Sequence, residues 1–425
     1  MKNNRIYCGI LMASMAIVAF AQSGTNSPYS QYGIGLLSDQ SQGFSRGMNG
    51  VGQGLRRGNV VNTLNPASYS AVDSLTMIFD VGLSGQISNF KENGASMNAN
   101  NANFEYAVAS FRLLRGIGLA AGLLPYSNVG YKYSSSTFLN RTDGSVTSTC
   151  KGEGGLHQAF LGVGAQLTRQ LSVGFNASYL WGTIDRSVTT SNTTYINSLL
   201  KNYSVSVSSY KLDLGAQCSQ PLAGGDHVVV GATVGLGHKL GANPECQIIN
   251  AQTTGIRDTT AFVINDGLQL PMSYSLGVAW YHGRQLVVDA DVMLQKWGSV
   301  DFPVSGDNSY VLSSGALKDR WKMGVGADFV PNETSLSYFQ RIHYRMGVGY
   351  STPYYYINDS EGPKELSMSL GFGLPLQNKF NNRSVLNISA QWSRSSAIDR
   401  ITDNTFRINV GLTFNERWFA KWKID

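Results

Sequence analysis

The chain has 425 residues, a net charge of +6, 14% charged residues, 47 glycines and 11% aromatics. Soluble domains carry about 25% charged residues, so this balance disfavours an ordinary soluble domain, and dispersed Lys and Arg without a recognition motif exclude nucleic-acid binding. Beyond the N-terminus no apolar run reaches the roughly 18 residues of a membrane helix, which leaves an all-β chain, its apolar face turned to a core or to lipid.

In chain order, Lys2 and Arg5 precede an apolar run, Ile6–Phe20, and Ala19-Phe20-Ala21 places small residues before Gln22. Residues 1–21 read as a secretory signal. Cys8 follows Ile6-Tyr7 and lacks the small residues that lipoprotein processing needs. The mature chain keeps Cys150, Cys218 and Cys246. An odd number implies no complete disulfide framework, and spacing leaves a Cys150–Cys246 bridge open.

Residues 22–75 are rich in Gly, Ser and Asn, show little periodicity and carry Asn65-Pro66-Ala67. From about Thr76 the chain alternates apolar and polar residues. Leu366, Met368, Leu370, Phe372 and Leu374 oppose Ser367, Ser369, Gly371 and Gly373. Phe406, Ile408, Val410, Leu412 and Phe414 oppose Arg407, Asn409, Gly411 and Thr413. Period two marks strands with two unlike faces.

Strands are predicted at 76–91, 103–114, 116–134, 153–168, 171–188, 204–221, 226–240, 268–281, 284–298, 319–330, 339–350, 364–375, 382–395 and 404–416. The links after strands two, four, six and eight are short: Arg115, Arg169-Gln170, Leu222–Gly225 and His282-Gly283. The links between them are long: Glu92–Ala102, Ser135–Gly152, Thr189–Tyr203, Gly241–Gly267 and Ser299–Lys318. A soluble sandwich has no reason to alternate so; a transmembrane antiparallel barrel of about 14 strands does. Aromatics near strand ends, such as Phe79, Tyr179, Trp181, Trp280, Trp297, Trp321 and Trp392, suit interfacial girdles. The domain reading is therefore signal 1–21, luminal plug 22–75, barrel 76–416 and a periplasmic tail 417–425. The plug is luminal because irregular backbone cannot face lipid.

Small-residue steps at Gly47-Met48-Asn49-Gly50-Val51-Gly52, then Asn65-Pro66-Ala67 just before the first strand of such a barrel, resemble the FadL family of outer-membrane transport proteins. The opening Ser27-Pro28-Tyr29-Ser30-Gln31-Tyr32-Gly33 and Asn65-Pro66-Ala67-Ser68-Tyr69 look similar to its Bacteroidetes branch. The resemblance implies an N-terminal hatch that holds the Asn-Pro-Ala motif. It implies passive uptake of hydrophobic small molecules, fatty acids or aromatic hydrocarbons, with lateral exit through a kinked third strand. It also implies contact with outer-membrane lipid and lipopolysaccharide. In the third strand here Pro125 interrupts pairing, so Pro125, Tyr126, Ser127, Asn128 and Gly130 are the kink candidates. The chain departs from better-known members at Arg56-Arg57-Gly58-Asn59, where a small or acidic run is usual, which leaves ligand type open.

Other constellations carry little chemistry. The five histidines are scattered, without metal-ligand spacing. Gly43-Phe44-Ser45-Arg46-Gly47 matches a nucleophile elbow but lacks the flanking strand and helix. No enzyme activity, metal or cofactor is expected. Asp289 and Asp291 share a luminal face, and Arg56 and Arg57 are expected to pair with such acids and hold the hatch. Ile196, Leu199 and Leu200 have helical spacing, which predicts a short external helix in Thr194–Tyr203. Two other readings are a FadL-like shuttle barrel that docks proteins in type IX secretion, and a general porin.

Overall fold

The computed structural model describes residues 25–92, 94–138, 145–192, 198–251, 257–306, 309–376 and 384–417. The signal segment, Cys8 and residues 418–425 lie outside them. Fourteen strands close one antiparallel barrel. They are β1 (Thr76–Glu92), β2 (Ala95–Leu114), β3 (Ile117–Phe138), β4 (Ser145–Gln166), β5 (Leu171–Asn192), β6 (Ser198–Pro221) and β7 (His227–Gly235). Then come β8 (Ser273–His282), β9 (Leu286–Gln295), β10 (Arg320–Phe329), β11 (His343–Ser351), β12 (Lys364–Leu376), β13 (Ser384–Ser396) and β14 (Thr402–Arg417). Each pairs with its neighbour, and β14 closes on β1 from Thr76↔Arg417 to Lys91↔Thr402.

Exposure decides between sandwich and membrane barrel. On β12, Met368 and Leu370 are 46% and 61% exposed, while Ser367 and Ser369 are 8% and 3% exposed. The apolar face is thus outside and the polar face inside, the inverse of a soluble core. Leu161, Leu276, Met346 and Ile408 continue this exposed apolar belt around the barrel.

Strand length gives the barrel a tall side. β7 to β11 have nine or ten residues, matching the roughly 9–11 needed to cross a bilayer. β2 to β6 have 20 to 24. Their short turns lie at one end, so the surplus of about ten residues projects from the other. Much of each expected long loop after strands one, three and five is therefore strand. The helix expected in Thr194–Tyr203 is not formed where the chain is described: Leu199 and Leu200 lie in β6, paired with Asn250 and Ile249. Residues 194–197 lie outside the described residues. The link after β7 holds a hairpin, Glu245–Ala251 with Arg257–Val263, which pairs onto β6. Cys150 and Cys246 are free thiols.

Residues 25–73 fill the lumen. Phe44, Met48, Val51 and Leu55 form one apolar cluster. Tyr69 and Val72 join Tyr106, Val108, Leu124 and Phe160 of the wall in another. The luminal wall is lined with glycine where this segment touches it. A Cβ on Gly231 would stand 1.9 Å from the carbonyl oxygen of Gln53, so a side chain there would displace the plug.

Candidate functional site

The Asn-Pro-Ala motif is a helix cap that doubles as a tether. Asn65 precedes a 3-10 helix, Pro66–Ala71, with Pro66 at its first turn, where a missing N–H costs nothing. The Asn65 carboxamide oxygen accepts from the Ala67 N–H (3.1 Å). Its amide donates to the carbonyls of Gln53 and of Ala216 on β6, both at 3.1 Å. One side chain thus starts the helix, joins two plug segments and binds the wall.

Buried charges hold the plug. Arg57 pairs with Asp328 on β10 at 3.1 Å, and Arg345 on β11 donates to the same carboxylate at 2.9 Å. The guanidinium groups of Arg57 and Arg345 stand 5.1 and 4.1 Å from the Phe44 ring. Arg46 pairs with Glu105 on β2 at 2.9 Å, both side chains buried. The expected pairing of Arg56 and Arg57 with Asp289 or Asp291 is not what forms. Arg56 instead donates to Ser70, the Ala67 carbonyl and Gln217. Asp291 accepts the backbone N–H groups of Gly52 (2.6 Å) and Gln53 (3.0 Å). Asp289 is fully buried beside it and, among the described residues, pairs with no cation. The reason is reach: Gly52–Gly54 lie directly against these acids, so backbone takes the place expected of arginine. Within the plug, burial works against the charge of Asp39, but Lys322, Arg46 and the N–H and hydroxyl of Ser41 outweigh it and hold its carboxyl well below the usual range.

The third strand leaves its neighbour at Pro125. Pairing of β2 with β3 runs from Leu114↔Ile117 to Ala107↔Leu123 and stops there. On the other edge β3 stays paired with β4, with a bulge between Pro125 and Ser127 that leaves Tyr126 as the extra residue. Over 124–131 seven of eight residues are buried, so the in–out alternation ends and both faces are covered. Gly155 on β4 (φ 144°) and Gly182 on β5 (φ 150°) carry the bend across the wall. A Cβ on Gly155 would lie 2.3 Å from the Ser127 carbonyl oxygen, and one on Gly182 2.1 Å from that of Gly155.

The plug takes β2's place along this edge. Leu36 and Leu37 pair antiparallel with Asn128 and Ser127. The Ser38 N–H donates to the Tyr126 carbonyl (3.0 Å), and the Gln40 amide to that of Pro125 (2.9 Å). Gly130 donates its N–H to the Ser30 hydroxyl (3.1 Å).

Two cavities flank this substitute edge. A 240 Å³ polar chamber is lined by Phe104 and Glu105 of β2, Pro125 and Asn128 of β3, and luminal residues such as Lys322 and Arg407. It reaches both sides of the β2–β3 break. A 740 Å³ cavity opens at the tall end, floored by Gln31–Ile34 and walled by Tyr131, Tyr203, Phe302, Tyr310 and Tyr355. Alternation turns Asp328 and Arg345 into the lumen, as charges that bind the hatch or line water, and they do bind it; sequence reasoning missed Arg46 and Glu105 as anchors. The signal at Asp328 is a charge on a luminal face that also carries Gly324 and Gly326; Glu105 and Arg46 carry no such signal.

These features define a membrane-spanning β-barrel of the outer-membrane type with a luminal hatch. The sequence pattern of the BamG family matches residues 2–425, and the chain belongs to that family. Its fold is shared with FadL-like channels. A Pseudomonas aeruginosa FadL homologue is 12% identical, with 89% of this chain and 99% of that one covered at a TM-score of 0.63. The Pseudomonas putida toluene transporter TodX is 16% identical over 90% and 100% of the two chains, TM-score 0.60. The Ralstonia pickettii toluene transporter TbuX is 14% identical over 88% and 98%, TM-score 0.60. No curated protein matches the chain. The expected likeness to FadL thus holds for the fold, while the family is BamG.

Proposed function

We propose that this barrel is an outer-membrane channel for passive uptake of small hydrophobic molecules. The observation that carries this reading is the wall at Pro125, where β3 abandons β2 and takes its hydrogen bonds from the hatch. Pairing from Leu114 to Ala107 covers eight residues, about 26 Å of strand at 3.3 Å per residue. Tilted about 40°, it leaves the break at the level of the outer leaflet. A molecule entering the tyrosine-lined mouth would pass the hatch and leave sideways into lipid, below the lipopolysaccharide headgroups. Pro125, Tyr126, Ser127, Asn128 and Gly130 would form the gate, and Asn65, Pro66 and Ala67 the fixed end of the hatch. That the solved channels of this fold include toluene transporters supports the same class of cargo.

Uptake of labelled toluene and laurate by cells with and without the protein tests this. The intact chain should speed entry. Gly155→Ala with Gly182→Ala, which disfavours the bend, should slow it while the folded barrel still inserts. Equal entry with and without the protein would reject the reading.

A second reading, a barrel that docks secreted proteins, is favoured by the tall wall of β3 to β6 with its added hairpin, a surface far larger than a pore needs. Secreted proteins retained on the purified barrel, and lost when residues 245–263 are excised, would favour it.

A further inference from the structure

Asp289 and Asp291 point from β9 into the lumen, against the hatch backbone at Gly52–Gly54. Opposite them in register lie Ala279 and Gly277 of β8, and Gly326 and Gly324 of β10. Asp289 is fully buried, and neither of its oxygens receives a hydrogen bond. The N–H groups of Gly54 and Ala290 stand near it but outside bonding geometry. Its side-chain contact is the carboxyl of Asp291, which also accepts from Gly52 (2.6 Å) and Gln53 (3.0 Å). The charges around the pair are engaged elsewhere. Arg57 of the hatch meets Asp328 of β10, which Arg345 and His343 of β11 also hold. Arg56 bonds Ser70, the Ala67 carbonyl and Gln217. Lys322 of β10 shares a 90 Å³ cavity with Asp291, not with Asp289. On β8 the Tyr281 hydroxyl accepts the Arg56 N–H, and His227 of β7 stacks on Tyr281 at 4.2 Å.

Two carboxylates in contact away from water repel, whereas one proton between them makes a strong hydrogen bond. A proton on Asp289 accounts at once for the missing cation and for the contact. We propose that Asp289 donates a proton to Asp291, and that this carboxyl–carboxylate bond latches the hatch at Gly52–Gly54 until the proton is lost. The latch concerns how the hatch is held, whatever passes it. Without the proton, two negative charges stand where Gly52 and Gln53 had met one, and the loop must give way to water. The cavity at Asp291 is also lined by Leu37, Ser38 and Tyr126, so release there reaches the substitute edge of β3. The sign follows from proton count. The closed hatch binds one proton that the opened, hydrated pair does not hold at neutral pH, so rising pH favours opening.

The test uses the full mature chain in nanodiscs. At pH 8 the infrared difference between the parent and Asp289→Asn should contain the carbonyl stretch of a protonated carboxylic acid. Amide exchange at Gly52–Leu55, corrected for its intrinsic rate, should show protection falling at least about tenfold from about pH 8 to about pH 10, as one proton leaves. Asp289→Asn keeps an N–H donor to Asp291, and Asp289→Leu has no charge to gain, so protection in both should stay level over that range. Tyr281→Phe should fall as the parent does. The heat-shifted gel mobility of a folded barrel shows that each variant is intact. A level parent, an equal fall in either Asp289 variant, a level Tyr281→Phe or no difference band at pH 8 would overturn the latch.

Discussion

Arg46 and Glu105 show how single residues fix the hatch. Both are buried, and the guanidinium also donates to the carbonyls of Ser41 and Asp39. Breaking a buried pair from one side strands the other charge, at about 3–5 kcal/mol. Glu105→Leu should therefore lower stability by that order in denaturant titration, and Arg46→Met with Glu105→Leu should recover most of it. Asp39 gives a pH dependence. Its folded pKa is depressed, so it contributes stability above the unfolded value of about 3.9, lost as pH falls through the lower folded value. Hatch protection against protease should be flat from about pH 5 to 8 and decline below about pH 4, and Asp39→Asn should remove that part of the acid decline. These partners were not legible in the sequence. Period-two alternation shows that Asp328, Asp289 and Asp291 face inward, but not which plug residue arrives opposite each. Arg57 reaches Asp328, while the backbone of Gly52 and Gln53 takes Asp291.

Among the elements, the strands were legible wherever lipid lies on one side and the hatch on the other. Leu366 to Leu374 and Phe406 to Phe414 alternate because their two faces meet different media. The projecting ends of β3 and β5 were not legible, because solvent bathes both faces and Ser134-Ser135-Ser136 or Thr189-Thr190-Ser191 needs no alternation. Leu199 and Leu200 misled for the same reason: outside the bilayer a strand is free of the period, and chance spacing looks helical. Pro125 was legible as a break in β3, since proline offers no N–H to a ladder. That the hatch supplies the replacement edge was not, because Leu36 and Leu37 sit in a segment without periodicity. Ser38→Pro tests that edge by deleting the donor to the Tyr126 carbonyl. The stranded acceptor costs about 1–3 kcal/mol. Purified Ser38→Pro protein should flicker open in planar bilayers while the parent stays closed, with the barrel's melting temperature nearly unchanged.

At the scale of the molecule, wall and plug are bonded by different rules. Strands β8 to β14 and β1 are held by neighbours on both sides over most of their length, β2 and β3 pair only from Ala107↔Leu123 to Leu114↔Ile117, and the apolar belt faces lipid whatever fills the lumen. The plug has no sheet of its own. It is held by glycine-lined contact, by capped turns such as that at Asn65, and by charges at Asp328, Glu105 and Asp291. Water can solvate those acids, because much of the inner wall is polar, as at Ser367, Ser369, Asn387 and Asn409. Excising Ser27–Asp73 should therefore leave a barrel that inserts and shows the heat-shifted band of a folded wall. It should also conduct ions steadily, where the intact chain does not. Its weak point is β3, since residues 124–131 were covered by the hatch and β2 does not pair there. Hydrogen exchange should accordingly rise at Tyr126–Gly130 in the excised barrel and stay low in β8 to β10, whose short strands are paired from end to end. A uniform rise would mean that the hatch holds up the whole wall rather than one edge of it.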